Sequence, residues 1–151
     1  MDSSDIRNQK PKKKAPSPRR DGREAALQYL YANDIQGEVD FSPEKLERFW
    51  ELRLAKSFAR DFAAEILKGV EKHAAEIDDA IRDTLENFAF ERLTAVDRNI
   101  LRIGVYEILF AEHIPPRAAI NEGIEIAKRF GNERSPAFVN GILDRTLKNR
   151  G

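Results

Sequence analysis

The chain has 151 residues, 41% of them hydrophobic and 34% charged, with 26 basic and 26 acidic side chains and no cysteine. That length suits one domain with a substantial core, and the missing cysteines exclude a disulfide framework, a thiolate metal site and a cysteine nucleophile. No run reaches the roughly eighteen uncharged apolar residues of a membrane span, and the polar, basic start does not read as a signal peptide, so a cytoplasmic location is expected.

The balanced total hides a separation of charge. Residues 1–20 carry seven basic side chains against Asp2 and Asp5, residues 117–151 seven against four, and the middle 12 against 20. Basic ends around an acidic middle suit a protein that meets a polyanion with one part and something else with another.

In chain order, residues 1–17 contain KPKKKAPS, with almost nothing to bury, and are expected to form a disordered lysine-rich arm before a single domain over 18–151. From Arg19, the spacing of Leu27, Leu30, Tyr31 and Ile35 predicts one apolar stripe on a first helix, which stops at Gly37. Ser42-Pro43 opens a second helix as N-cap and first helical residue, with Leu46, Phe49, Trp50 and Leu54 on one face. A long helical region covers about 56–87; its first stripe is Phe58, Phe62, Ile66 and Val70, and the stretch Gly69–His73 marks either a kink or a break. Thr94 is the candidate N-cap of the next helix, with Asp97 three positions on. That helix, AVDRNILRIGVYEILFAEH, is apolar around most of its circumference and reads as central, with Asp97, Arg98, Asn99, Arg102 and Glu107 as its polar positions. Pro115-Pro116 ends it and starts another, whose face of Ile120, Gly123, Ile124 and Ala127 admits a close neighbour before Gly131 caps it. Ser135-Pro136 opens the last, with Val139, Ile142, Leu143 and Leu147 inward. No strand alternation intervenes, so the expected fold class is all-α, six or seven helices.

Catalytic signatures are missing. His73 and His113 sit in no Glu-x-x-His or His-x-x-x-His spacing, and the sequence holds no phosphate loop, dinucleotide turn or nucleophile elbow. No enzyme activity, cofactor or metal is expected. Binding features are better represented. Arg19, Arg20 and Arg23 gather at the start of the first helix, where guanidinium groups and free amides attract phosphate. Phe138, one position off the inward stripe of the last helix, has Arg134 one turn before it and Asn140 two residues after. An aromatic ring beside an arginine and an amide suits the stacked bases of single-stranded RNA, although a phenylalanine at a helix start also packs in cores.

The stretch LTAVDRNILRIGVYEILF, followed by IPPRAAINEGIEIAKRFGNERSPAFVNGILD, closely resembles the C-terminal half of the NusB family of transcription antitermination factors, and RRDGREAALQYLY resembles its first helix. The resemblance spans about 19–147 and is poor over 36–90. It implies two packed helical subdomains and pairing with the ribosomal protein NusE. It also implies binding to the boxA element of nascent RNA within the transcribing polymerase complex, supporting ribosomal RNA synthesis. It places Arg19, Arg20, Arg23, Arg134, Phe138 and Asn140 on RNA, and Tyr31, Glu91 and Asp97 on the protein partner. Asp21 and Gly22 interrupt an arginine run that is often denser in the family, and Arg134 stands where acidic residues also occur. The alternative is a helical interaction module that forms a homodimer and hides its arginine helix against itself.

Overall fold

The computed structural model describes residues 16–86 and 89–150. Apart from Pro16 and Ser17, the expected N-terminal arm lies outside them. Among the described residues there are seven α-helices and no strand. They are α1 (Pro18–Gln36), α2 (Pro43–Leu52), α3 (Ser57–Lys72), α4 (Ala74–Thr84), α5 (Ala95–Phe110), α6 (Pro116–Phe130) and α7 (Ser135–Asn149), with a single 3-10 turn at Phe90–Arg92 before α5.

The helix starts follow the capping residues. Ser17, Ser42 and Thr94 each accept a backbone N–H three residues on, and Pro18, Pro43 and Pro116 occupy the first helical turn, where a missing N–H costs nothing. Gly37 ends α1 at φ 67°, the left-handed conformation that glycine adopts without strain. Gly131 differs from the expected cap. Its backbone is extended, and α6 ends instead on its N–H to the Ala127 carbonyl.

The long region 56–87 is two helices that break at His73, whose imidazole stacks on Phe110 at a centroid distance of 3.8 Å. Gly69, four residues earlier, belongs to a crossing instead. A Cβ there would stand 1.9 Å from the Tyr106 ring, so glycine lets α3 lie directly against α5. Gly22 does the same where α1 meets α3, because a Cβ would fall 2.9 Å from the Ala59 carbonyl oxygen and from Phe62 Cδ1.

α5 is the central helix. It packs against α1, α3, α4, α6 and α7, and Ile100, Leu101, Ile103, Val105 and Ile108 are all buried. α1 and α3 form one group through their mutual contact, α2 reaches α1 through the Tyr29–Phe49 ring pair, and α4 to α7 form a second group around α5.

Several apolar stripes are rotated from the expected ones. In α1, Tyr29 takes the buried place, while Tyr31 and Ile35 stay outside. α2 stops at Leu52, so Leu54 is 84% exposed instead of lying on the helix face, and Phe58 also faces outward. On α5, Glu107 is fully buried, not a polar surface position. A chain with polar groups this deep must pair them.

Candidate nucleic-acid interface

The N-terminal turns of α1 carry three charged side chains that lead to α5 and α6: Arg20, Arg23 and Glu24. Arg23 is in the core. Its Nε and Nη2 donate to both oxygens of Glu107 at 2.8 Å, with the two side chains only 4% and 1% exposed. That corrects the surface role expected of Arg23, because its guanidinium is neutralised inside the fold and also lies over the Phe62 ring. Arg20 is half-exposed, and its Nε and Nη2 donate to the two oxygens of Glu122 on α6 at 2.8 and 2.9 Å. The hydrogen bond to Glu122 pushes the Arg20 guanidinium above its ordinary value, and the same bond holds the Glu122 carboxyl below its own. One turn further, Glu24 is buried and accepts from Arg129, also on α6. Arg19 is exposed and leans over Phe62, and it has no carboxylate partner among the described residues. Of the three expected phosphate-binding arginines, Arg19 alone keeps an uncommitted charge there. Asp21 pairs with Arg53 at 2.7 Å, so the interruption of the arginine run ties α1 to the end of α2.

α6 carries the surface onward. Past its end, Asn132 and Ser135 lock the turn into α7: Asn132 N–H donates to Ser135 Oγ at 3.0 Å, and Arg134 N–H donates to Asn132 Oδ1 at 2.9 Å. This holds Arg134 and Phe138 one turn apart beside a cavity of about 260 Å3, whose other walls are Arg92, Leu93, Thr94, Asp97 and Asn132. Phe138 is half-buried and packs against the core, so it is neither a fully buried residue nor a free one. Its other flank borders a second groove of about 250 Å3, lined by Thr84, Leu85, Glu86, Gly141, Ile142 and Arg145. Neither Arg92 nor Arg134 has a carboxylate partner among the described residues, whereas Arg145 pairs with Glu86. Asn140 is exposed and lines neither cavity.

The residues expected on a protein partner do not share one open face. Tyr31 is 40% exposed on α1, next to the equally outward Ile35. Glu91 is exposed on the 3-10 turn, 3.6 Å from Arg82. Asp97 is buried at 8% exposure in the Phe138 cavity, which corrects its expected place on an open acidic surface. The acidic group nearest Tyr31 in the chain is Asp34, which accepts from Arg98, Asn99 and Arg102. Burial pushes the Asp34 carboxyl up, but the Arg98 and Asn99 hydrogen bonds outweigh it and hold the group below its ordinary value. Arg82, Arg98 and Arg102 surround the Phe90 ring at 4.4 to 5.8 Å, fixing the 3-10 turn that presents Glu91 on one side and Arg92 on the other.

Sequence reasoning missed Arg92, Leu93 and Asn132 as site walls, and Glu107 and Glu122 as the partners of the arginines. Only Asn132, two residues before Arg134 in a loop, carried a local signal. Among the described residues no cluster of side chains suits a metal ion, and no helix is long and apolar enough to cross a membrane.

The family model described as the NusB family matches residues 20–148. This chain belongs to the NusB family. Its curated relatives include the transcription antitermination protein NusB of Sorangium cellulosum, 41% identical over 130 residues covering 86% of this chain and 91% of that one. Its counterpart in Trichlorobacter lovleyi is 46% identical over 127 residues, 83% of this chain and 87% of that one. Among solved structures, T. maritima NusB superposes with a TM-score of 0.76 at 39% identity, covering 89% of this chain and 93% of that one. A structure of the antitermination factors NusB and NusE in complex with dsRNA gives 0.77 at 29% identity, covering 87% and 97%. The all-α fold expected from the NusB-family resemblance is therefore borne out over nearly the span expected.

Proposed function

We propose that this NusB-family chain is a non-catalytic, cytoplasmic transcription antitermination factor. It binds boxA-type single-stranded RNA together with a NusE-type ribosomal protein, acts on the polymerase complex indirectly, and supports ribosomal RNA transcription. The observation that carries this reading is the Phe138 cavity. It offers an aromatic ring beside two arginines without carboxylate partners, the combination on which an unpaired base stacks while its phosphate is neutralised. Arg19 extends the cationic surface at the N-terminus of α1, where the amides of the first turn add to the attraction for phosphate. Arg20 and Arg23 contribute differently. Their carboxylate partners hold α1 in register with α5 and α6, so they shape the surface from beneath it.

The protein partner meets Tyr31, with the outward Ile35 beside it on α1, and Glu91 on the 3-10 turn, two separate exposed points. A relative of this chain has been captured with both NusE and double-stranded RNA, in keeping with one protein serving both. The test is a fluorescence titration of a boxA-type RNA against the wild-type chain and Phe138→Ala, with and without the ribosomal protein. Phe138→Ala should lose about 1–3 kcal/mol of RNA affinity and keep partner binding. Equal RNA affinity in both proteins would overturn the reading, and a salt-independent wild-type isotherm would favour a closed homodimer instead.

A further inference from the structure

We infer that Glu122 limits the RNA affinity of this chain by holding Arg20 away from phosphate. This rests on the proposal that the chain binds single-stranded RNA, and it gives α6 a part in setting how tightly. The first turn of α1 carries two neighbouring arginines that reach solvent and differ in what they meet. Arg19 is exposed and has no carboxylate partner among the described residues. The Arg20 side chain is 37% exposed, yet its Nε and Nη2 both donate to Glu122, at 2.8 and 2.9 Å. Two parallel N–H···O bonds are also how a guanidinium grips a phosphate. Glu122 therefore occupies the edge of Arg20 that a phosphate would need.

The surrounding charges leave this role to Glu122 alone. Asp21 pairs with Arg53, Glu24 with Arg129 and Glu125 with Lys128, so each of these acids has a base of its own. The pairs cancel, and among the described residues the start of α1 keeps the single free charge of Arg19. Neutralising Glu122 would release a second one, because no neighbouring carboxylate is left to take Arg20. The fold can bear that change. Arg23, whose Nη1 lies 4.0 Å from Glu122, keeps both of its bonds to Glu107. Glutamine has the shape of glutamate, and at 22% exposure its amide still meets water. A part-exposed ion pair adds little to stability, whereas its acid cancels the pull of Arg20 on a phosphate outright.

The experiment titrates the full chain with a boxA-type RNA and with an unrelated RNA of equal length, by fluorescence anisotropy over a range of salt. Glu122→Gln should steepen the slope of log K against log salt by about 0.7, the share of one phosphate on a single strand. That slope corresponds to binding about fourfold tighter at ~0.15 M salt, a gain that fades towards ~1 M. Phosphate contacts carry no sequence information, so both RNAs should gain alike. Arg20→Ala/Glu122→Gln should return to the wild-type slope, because a neutral pair has been replaced by two neutral side chains. An unchanged slope in Glu122→Gln, a gain confined to one RNA, or a gain kept in the double variant overturns the inference. So does a double variant with a slope shallower than wild type, which would place Arg20 on phosphate already. If Glu122→Gln does not fold, the wild type decides: the NMR resonance of Arg20 Nε–H should stay in place when RNA is added, and its displacement overturns the inference. Failure of the wild type to bind either RNA would instead remove the RNA-binding proposal beneath it.

Discussion

Replacing Arg23 by methionine tests whether this arginine is a structural residue or an RNA contact, because the two roles predict different damage. The Arg23–Glu107 pair is bidentate, both bonds at 2.8 Å, and the side chains are 4% and 1% exposed. Methionine fills much of the arginine stem but leaves the Glu107 carboxylate without a cation in the core. Breaking a buried pair from one side costs about 3–5 kcal/mol, and this case belongs at the upper end because among the described residues no second cation is paired with Glu107. Removing the acid instead, with Glu107→Leu, leaves Arg23 with Glu122, whose oxygen is already 4.0 Å from Nη1, and the cost should fall to about 3 kcal/mol. The double variant Arg23→Met/Glu107→Leu should recover most of the loss, since well-packed apolar residues often replace a buried pair at little cost. Thermal melting of the four proteins reads this directly, and for a domain of this size Arg23→Met should melt on the order of 10 °C lower. If Arg23→Met melted within about 1 °C of wild type while RNA affinity fell tenfold, the reasoning would be refuted and the arginine returned to the surface.

Other predictions follow from the same geometry. Gly69→Ala should destabilise the fold by about 1–3 kcal/mol in urea, because its Cβ enters the Tyr106 ring at the α3–α5 crossing. Phe138→Ala should cost less than the roughly 3–5 kcal/mol of a fully buried phenylalanine, since the ring is half-exposed; a melting curve checks it. Asp34, whose folded value lies below its ordinary 3.8, contributes stability that is present above that pH and lost as pH falls through the lower folded value. An acid melting series on Asp34→Asn should therefore show a lower plateau near neutrality and a shallower loss below pH 3.8 than wild type. Charge reversal by Glu91→Lys should slow association with the ribosomal protein in a stopped-flow assay and leave RNA binding by the chain alone equal or stronger.

The helices and their order were legible because their signals are local. Ser42-Pro43, Thr94 with Asp97 and Pro115-Pro116 mark starts by hydrogen bonding and steric exclusion within one turn. Which side faced inward was less legible. Tyr29 and Tyr31 are adjacent in composition and propensity, and only the neighbours Phe41 and Phe49 decide that Tyr29 goes in. The site divided along the same line. Arg134, the residue that precedes α7, and Phe138 in its first turn lie four residues apart, so their meeting at one cavity was readable from spacing. The fate of Arg23 was not, because Glu107 lies 84 residues away and nothing local announces a buried partner. The family resemblance implies a partner-facing Asp97, and its burial is not legible from the sequence around it. Its burial follows from the packing of the 3-10 turn and the loop after α6 beside it, which composition does not encode.

The central claim is that Arg19 and Arg134 supply free positive charge to RNA, while Arg20 and Arg23 are committed to the carboxylates of Glu122 and Glu107. The salt dependence of binding to a boxA-type RNA, measured for wild type, Arg19→Ala/Arg134→Ala and Arg23→Met, tests it most directly. Each phosphate contact on a single strand contributes about 0.7 to the slope of log K against log salt, so removing both surface arginines should lower its magnitude by about 1.4. Arg23→Met, corrected for its folded fraction, should keep the wild-type slope. An unchanged slope in Arg19→Ala/Arg134→Ala, or a slope lowered by Arg23→Met alone, would contradict the account.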